Sequence, residues 1–334
     1  MEIIKNIAIR LILFIAILIG ANWIYTKYFL NDFLDVHGSL LLTQIKNSDA
    51  DYLYYSASSE FSYDAENDTN KSRITKLIDQ QTPFSIKPVT SSAHHAGIFA
   101  PVIQQLNSES VKGIVVVLNY RSFSPEWIES FNENSLQQSK VLYEDRPHLL
   151  NRLLVSLNAY KPLSDQERTA NFKRMFIEWK LPYPAPKNTI DSWCMVEKYG
   201  DWRNPKRQLA DHFIKNYAFV LNENTPRISD FDKISEIAKD KNLQLLFVII
   251  PENMELANEL LGSDLTDLMN TNRTYLNARY DHPEQNQHVL DIMDLLNDDN
   301  FTDREFPTEH YNYEGRLKVA TTISKKLKEL NNDN

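Results

Sequence analysis

The sequence predicts an α/β fold, a mainly parallel sheet with helices on both faces. Three observations carry this. Two apolar runs, the β-branched GIVVVLN at Gly113–Asn119 and LQLLFVII at Leu243–Ile250, are of the kind that a parallel sheet buries on both sides. Segments with helical periodicity alternate with the strand-like runs instead of forming a separate block. Finally, the strand-like runs stop at small or helix-breaking residues, Ser56–Ser59, Ser91–Gly97 and Pro251, so each hands over to a turn before the next helix.

The chain has 334 residues, and beyond its first segment enough remain for one large α/β domain or two small ones. A hydrophobic content of 42%, with 16 Tyr and 16 Phe, allows a sizeable core. Only 7 glycines argue against a Gly-rich nucleotide fold, and a net charge of −9 argues against a nucleic-acid partner. Cys194 is the single cysteine, which excludes an intrachain disulfide and reads best as a small packed hydrophobe.

Residues 1–28 predict a transmembrane anchor. Ile7–Tyr25 is long enough to span, with Trp23 and Tyr25 as an interfacial belt. Lys5, Arg10 and the amino terminus precede or open it, while Lys27, Asp32 and Asp35 follow. The positive-inside rule therefore puts the N-terminus in the cytoplasm and the remaining chain outside. Ile19-Gly20-Ala21 is a poor cleavage site, which favours an uncleaved anchor over a signal peptide. Phe29–Ser48, within residues 29–50, predicts an amphipathic juxtamembrane helix. The domain proper is then 51–334.

Within it, Tyr52–Tyr55 predicts the first strand, followed by a helix over about 70–81 from Ile74, Leu77 and Ile78. Phe84–Thr90 is a second strand, weakened by Pro88. Ile98–Leu106 reads as a helix with Pro101 in its first turn. Lys112–Asn119 is the third strand. Residues 129–226, polar and aromatic with helical spacing in places, predict a helical insertion over the sheet. Ser229–Asp240 is helical, Leu243–Ile250 is a strand, and Met254–Asn270 is helical. His288–Asp291 is a short strand, and Tyr313–Leu330 is the last helix, with Leu317, Ala320, Ile323 and Leu327 on one face.

Polar residues collect at the strand ends, which share one edge of a parallel sheet. Ser59 follows the first strand, the Ser91–His95 turn the second, and Asn119 the third. His310 stands before the last helix in EHYNYEGR. A serine, a histidine and an amide donor are what acyl transfer needs: a nucleophile, a base for its proton, and a donor for the oxyanion. Alone, each has a plainer reading, Ser59 as a turn residue and Asn119 as a cap. His94-His95 has no partner at metal-ligand spacing, so no metal is expected. Arg121 near Trp127 suits an anionic group or a stacked structural pair. Asp298, Asp299 and Asp333 read as solvated charges.

The order of these blocks from about Asp51 onward, leaving out the helical middle, resembles the SGNH or GDSL-type hydrolases. Ala57-Ser58-Ser59 stands at the block that carries the nucleophile, which maps to Ser59. Asn119 stands at the asparagine block, and His310 at the C-terminal histidine, followed by Asn312 and Gly315. The N-terminal anchor is similar to that of the membrane-anchored D-alanine transfer protein of teichoic acid synthesis and of polysaccharide O-acetylation proteins.

The resemblance implies a three-layer, flavodoxin-like SGNH fold and a cofactor-free Ser–His mechanism. Ser59 attacks and His310 is base, then acid. Asn119 and backbone N–H groups near Ser59 and Ala93 form the oxyanion hole. His94, His95 and Arg121 line the substrate pocket. Departures are visible. Pro307 occupies the place of the aspartate that supports the histidine, leaving Glu309 or Asp303 as the third member, or none. The second-block glycine is either Gly97 or replaced by Ala93, and Tyr120 follows Asn119 in place of an aspartate. Two functions follow: a serine esterase or O-acyltransferase acting on an acylated cell-envelope glycan or small ester, or a non-catalytic partner of a membrane-bound acyltransferase or glycan.

Overall fold

The computed structural model describes residues 2–32, 41, 45, 48–62, 68, 70–106, 110–128, 131–144, 146–160, 164–178, 180, 185–187, 189–193 and 195–332. Most of the predicted juxtamembrane helix, Cys194 and Asp333 lie outside the described residues.

Five strands form one sheet: β1 (Tyr52–Ser56), β2 (Ile86–Thr90), β3 (Gly113–Leu118), β4 (Gln244–Ile249) and β5 (Gln287–Asp291). All pairings are parallel, in the order β2-β1-β3-β4-β5. After β2 the chain crosses back over β1 to place β3, so the order reverses beside β1. In open α/β sheets the crevice outside the strand carboxyl ends at such a point is where ligands bind.

Every residue of β1, β3 and β4 is buried. Alternate side chains serve opposite faces, as the two-residue period of a strand requires. Leu53, Tyr55, Ile114, Val116 and Phe247 join one apolar cluster, and Tyr52, Tyr54, Val115, Val117 and Leu246 the other. Helices Ala96–Gln104 and Pro226–Asp240 cover the first face. Helices Ile74–Asp79 and Tyr313–Asn332 cover the second.

Gly113 is fixed by space. A Cβ there would lie 2.7 Å from the Gln244 carbonyl oxygen and 2.7 Å from the Tyr52 ring. The Tyr52 hydroxyl uses that room to donate to Gln244 Oε1 at 2.7 Å and to accept from Asn331 Nδ2 at 2.7 Å. It thereby ties the end of the last helix to the start of the sheet.

The expected strands are all present, with ends shifted by one or two residues. Three helices differ from expectation for physical reasons. The second element of the domain starts at Ile74, where Glu60 accepts from Thr75 N at 3.2 Å and caps it from a distance in sequence. Pro101 sits inside the helix Ala96–Gln104, which His95 starts earlier by accepting from Gly97 N. The expected helix Met254–Asn270 is two helices, Met254–Leu261 and Ser263–Tyr280. They part at Gly262, whose φ of +74° and ψ of −169° no other residue adopts readily.

Residues 129–226 contribute helices including Phe131–Tyr143, His148–Ser156 and Pro205–Tyr217. At the N-terminus, Glu2–Tyr28 is one helix. Its stretch Ile4–Tyr28 is long and apolar enough to cross a membrane, with a mean hydropathy of 2.3 and none of that window buried.

Candidate functional site at the carboxyl edge of the sheet

Beyond β1 the backbone turns at Ala57 into a single 3₁₀ turn, Ser58–Glu60, and all three of its residues are buried. Ser58 Oγ donates to Glu309 Oε1 at 2.8 Å. Ser59 is 1% exposed, and its hydroxyl makes no hydrogen bond. Glu60 is fully buried, and burial pushes its carboxyl up to about 7 while Thr75 and Arg73 pull the other way.

Beyond β2, Ala93 takes a left-handed backbone, φ +60°, a conformation glycine adopts at less cost. Gly97 is not in this turn but inside the next helix, where a Cβ would meet Asp230 Oδ2 at 2.7 Å. His94 Nδ1 lies 3.0 Å from the Ser92 carbonyl, within the turn. His95 is 4% exposed. Its Nε2 faces Glu133 at 2.8 Å, and its Nδ1 accepts from Gly97 N at 3.1 Å and meets the Arg227 guanidinium at 2.5 Å. Burial, then the Arg227 charge, pushes its pKa down to about 4. His95 thus ties this turn to the helix Pro226–Asp240, and neither histidine lines the large cleft described below.

Beyond β3, Asn119 Oδ1 accepts from Arg121 N at 3.0 Å and caps a 3₁₀ turn, Tyr120–Phe123. The Arg121 guanidinium pairs with Glu309 Oε2 and donates to the Pro307 carbonyl. Its carbon stands 5.9 Å from the Trp127 ring centre. Tyr120, in the place of an aspartate, is buried, and its hydroxyl accepts from Asn272 at 2.6 Å.

The end of β4 carries a group that the sequence reading passed over. Glu252 is fully buried and accepts from the Tyr217 hydroxyl at 2.6 Å. Burial pushes its carboxyl up to about 7, opposed by the nearby Arg121 charge. The strand-end reasoning that selected Asn119 applies equally to Glu252, which stands just past Pro251.

Before the last helix, Asn312 Oδ1 accepts from Gly315 N at 2.9 Å and caps it. His310 N–H donates to Thr308 Oγ1 at 3.1 Å. His310 Nδ1 lies 2.7 Å from Asp303 Oδ2, so the histidine has a carboxylate partner despite Pro307. That partner is Asp303, at φ +54° in the loop, and not Glu309, which Ser58 and Arg121 occupy. Burial lowers the His310 pKa, and the Asp303 hydrogen bond opposes that shift. With Nδ1–H held by a carboxylate, Nε2 is the basic nitrogen.

His310, Asp303 and Arg121 line a cleft of about 1120 Å³ together with Asp68, Asn312 and the loop 301–308. Ser58, Ser59 and Asn119 are not among its lining residues. The structure therefore joins His310 to Asp303, and Ser58 to Glu309 and Arg121, while Ser59 makes no hydrogen bond to His310. Among the described residues, no group of three or more His, Cys, Asp or Glu is placed to hold a metal ion. No protein-family model matches the chain, and no curated protein shows a significant match.

Proposed function

We propose that the chain is a membrane-anchored, extracytoplasmic protein of SGNH-like fold that cleaves or transfers an ester, an O-acyl group on a cell-envelope glycan or a small acyl ester. The observation that carries this reading is the Asp303–His310 pair, 2.7 Å apart and lining the cleft. A carboxylate on Nδ1 orients the ring, fixes the tautomer and stabilises the imidazolium that forms when Nε2 takes a proton.

In the proposed reaction the Ser59 oxygen attacks the ester carbonyl and passes its proton to His310 Nε2. The amide of Asn119 and the backbone N–H groups of Ser59 and Ala93 receive the charge on the carbonyl oxygen. The carbon–oxygen bond to the leaving alcohol then breaks, and His310 returns the proton to that alcohol. Water or a sugar hydroxyl, deprotonated by His310, resolves the acyl-serine. Hydrogen bonds of this kind tighten when substrate binds, and Ser59 must gain access to the cleft for attack.

One observation favours the second reading, a non-catalytic partner of a membrane acyltransferase. Ser59 is 1% exposed with no hydrogen bond, while Ser58 and Arg121 are engaged by Glu309. A fluorophosphonate probe separates the two. The esterase reading expects covalent labelling that Ser59→Ala and His310→Ala abolish and Ser58→Ala retains. A folded protein that takes up no label is the non-catalytic partner.

A further inference from the structure

The helix His148–Ser156 buries one side against the domain and leaves leucines exposed on the other. Asn151 and Val155 are buried. Leu150, Leu153 and Leu157 are 41%, 51% and 66% exposed, and their spacing of three and four residues puts them on one side of the helix.

Its neighbour is the N-terminal helix. Leu149 N–H donates to Asn22 Oδ1 at 2.9 Å. A residue of the apolar span thus caps a helix whose own N-cap, Pro147, has no side-chain acceptor. This contact gives the apolar span its polar residue, and it sets a level. From Ile4 to Asn22 the span rises about 27 Å at 1.5 Å per residue, close to the roughly 30 Å of a bilayer's hydrocarbon core. The belt residues stand at the same level. Trp23 is exposed, with the Lys27 ammonium 5.0 Å over its ring, as expected where acyl chains give way to headgroups.

We propose that the helix His148–Ser156 lies in the bilayer interface, with Leu150, Leu153 and Leu157 entering the boundary between headgroups and acyl chains beside the anchor. The occupant of this face is lipid, because the face continues from a helix end already at lipid level. The leucines come with His148 and Arg152 on the same helix, the basic and apolar mixture of an interfacial helix. The inference rests on the anchor reading of Ile4–Tyr28. It gives the domain a second membrane contact that fixes its tilt on the surface.

The test uses the full chain in nanodiscs of phosphatidylcholine and phosphatidylglycerol. Nitroxide labels are placed singly at Ile12→Cys, Leu153→Cys, Leu157→Cys and Ser156→Cys in a Cys194→Ala background. Collision with oxygen reports lipid, and collision with a water-soluble nickel chelate reports solvent. Ile12, Leu153 and Leu157 are expected to favour oxygen, with Leu153 and Leu157 shallower than Ile12, and Ser156 to favour the chelate. If Ile12 favours oxygen while Leu153 and Leu157 favour the chelate, the anchor stands and the interfacial helix is wrong. The interfacial helix is equally wrong if both leucine labels are shielded from both reagents, because protein then covers the face. If Ile12 itself favours the chelate, anchor and inference fall together.

Discussion

At the scale of single residues, the His310–Asp303 pair makes a prediction with a definite sign. Burial depresses the His310 pKa, and Asp303 raises it by stabilising the imidazolium. The neutral, basic form is therefore present at neutral pH. Activity should fall as pH drops through a value below the ordinary histidine 6.5. Asp303→Asn removes the stabilising charge, so the acidic limb should move to lower pH while kcat falls by roughly a hundred- to ten-thousand-fold, the scale for losing a supporting carboxylate. A pH–rate profile of both proteins measures it, and an acidic limb that stays put or moves upward would sink the pair's role.

The observed cap and the proposed oxyanion role of Asn119 can be separated. Its Oδ1 caps the turn at Arg121, whereas the proposed oxyanion contact needs its NH₂. Asn119→Asp keeps the acceptor and removes the donor. Turnover should drop about a hundred-fold or more, with the thermal midpoint nearly unchanged. Asn119→Ala should also cost about 1 kcal/mol of stability through the lost cap. Equal behaviour of the two variants would reduce Asn119 to a cap. Glu309, by contrast, is a stability residue. It is buried against Arg121 and Ser58. Glu309→Ala leaves a largely buried cation unpaired and should cost about 3–5 kcal/mol in denaturant unfolding.

The individual residue types at this site were legible in the sequence; their pairings were not. His310 and Asn119 stand at the edge where strand-end reasoning puts them. Asp303, seven positions before His310, was one of two open partners for the histidine. In the folded chain Asp303 meets His310 Nδ1, while the nearer Glu309 is engaged by Ser58 and Arg121. The buried contacts of His95 with Glu133 and Arg227 were not legible, because those partners are far away in sequence. No local pattern announces a buried network of that kind.

At the scale of elements, apolar runs buried on both faces were readable, because a strand such as β3 leaves little else for GIVVVL to do. Helix ends were less readable, since several are set by distant side chains such as Glu60 on Thr75. The break at Gly262 is local and testable. A Cβ there meets nothing within 4 Å, so Gly262→Ala should cost only backbone strain, about 1–3 kcal/mol. Loss of much more would imply a packing role for this joint.

The strand-end acids give the elements a pH dependence. Glu252 and Glu60 each have a carboxyl raised by burial from 4.5 to about 7. A raised folded pKa means that the native state holds protons that the unfolded state releases. The stability this confers is complete below 4.5 and is lost as pH rises through about 7. Glu252→Gln keeps an acceptor for Tyr217 and removes one ionisation. Its unfolding free energy should exceed that of the unsubstituted protein at pH 8, by about 3 kcal/mol or less, with no such gain at pH 4. Parallel pH curves for the two proteins would mean that Glu252 ionises without penalty.

At the scale of the whole molecule, the proposed location of the site rests on one helix. The stretch Ile4–Tyr28 leaves its apolar side chains exposed, from Ile7 at 61% to Ile19 at 65%, a surface that water disfavours and lipid covers. The domain does not hang free of it, because Asn22 is hydrogen-bonded to Leu149 and Tyr25 packs against the core. Lys5 and Arg10 lie toward its start, Lys27 in its last turn and acidic Asp32 beyond its end. In the orientation proposed above from the positive-inside rule, the sheet, the cleft and His310 stand on the outer side. The expected outcome is that the intact chain stays with membranes after carbonate washing. Protease added outside sealed cells should remove the residues beyond about Lys27 and leave a short anchored fragment. Protection of the domain until the membrane is opened would reverse the orientation and exclude an extracytoplasmic glycan as substrate. Release of a soluble protein beginning near Asn22 would show a cleaved signal segment, and it would leave Asn22, the cap of the helix His148–Ser156, at a free N-terminus without the helix that positions it. The anchor's retention and that helix's stability should therefore be observed together.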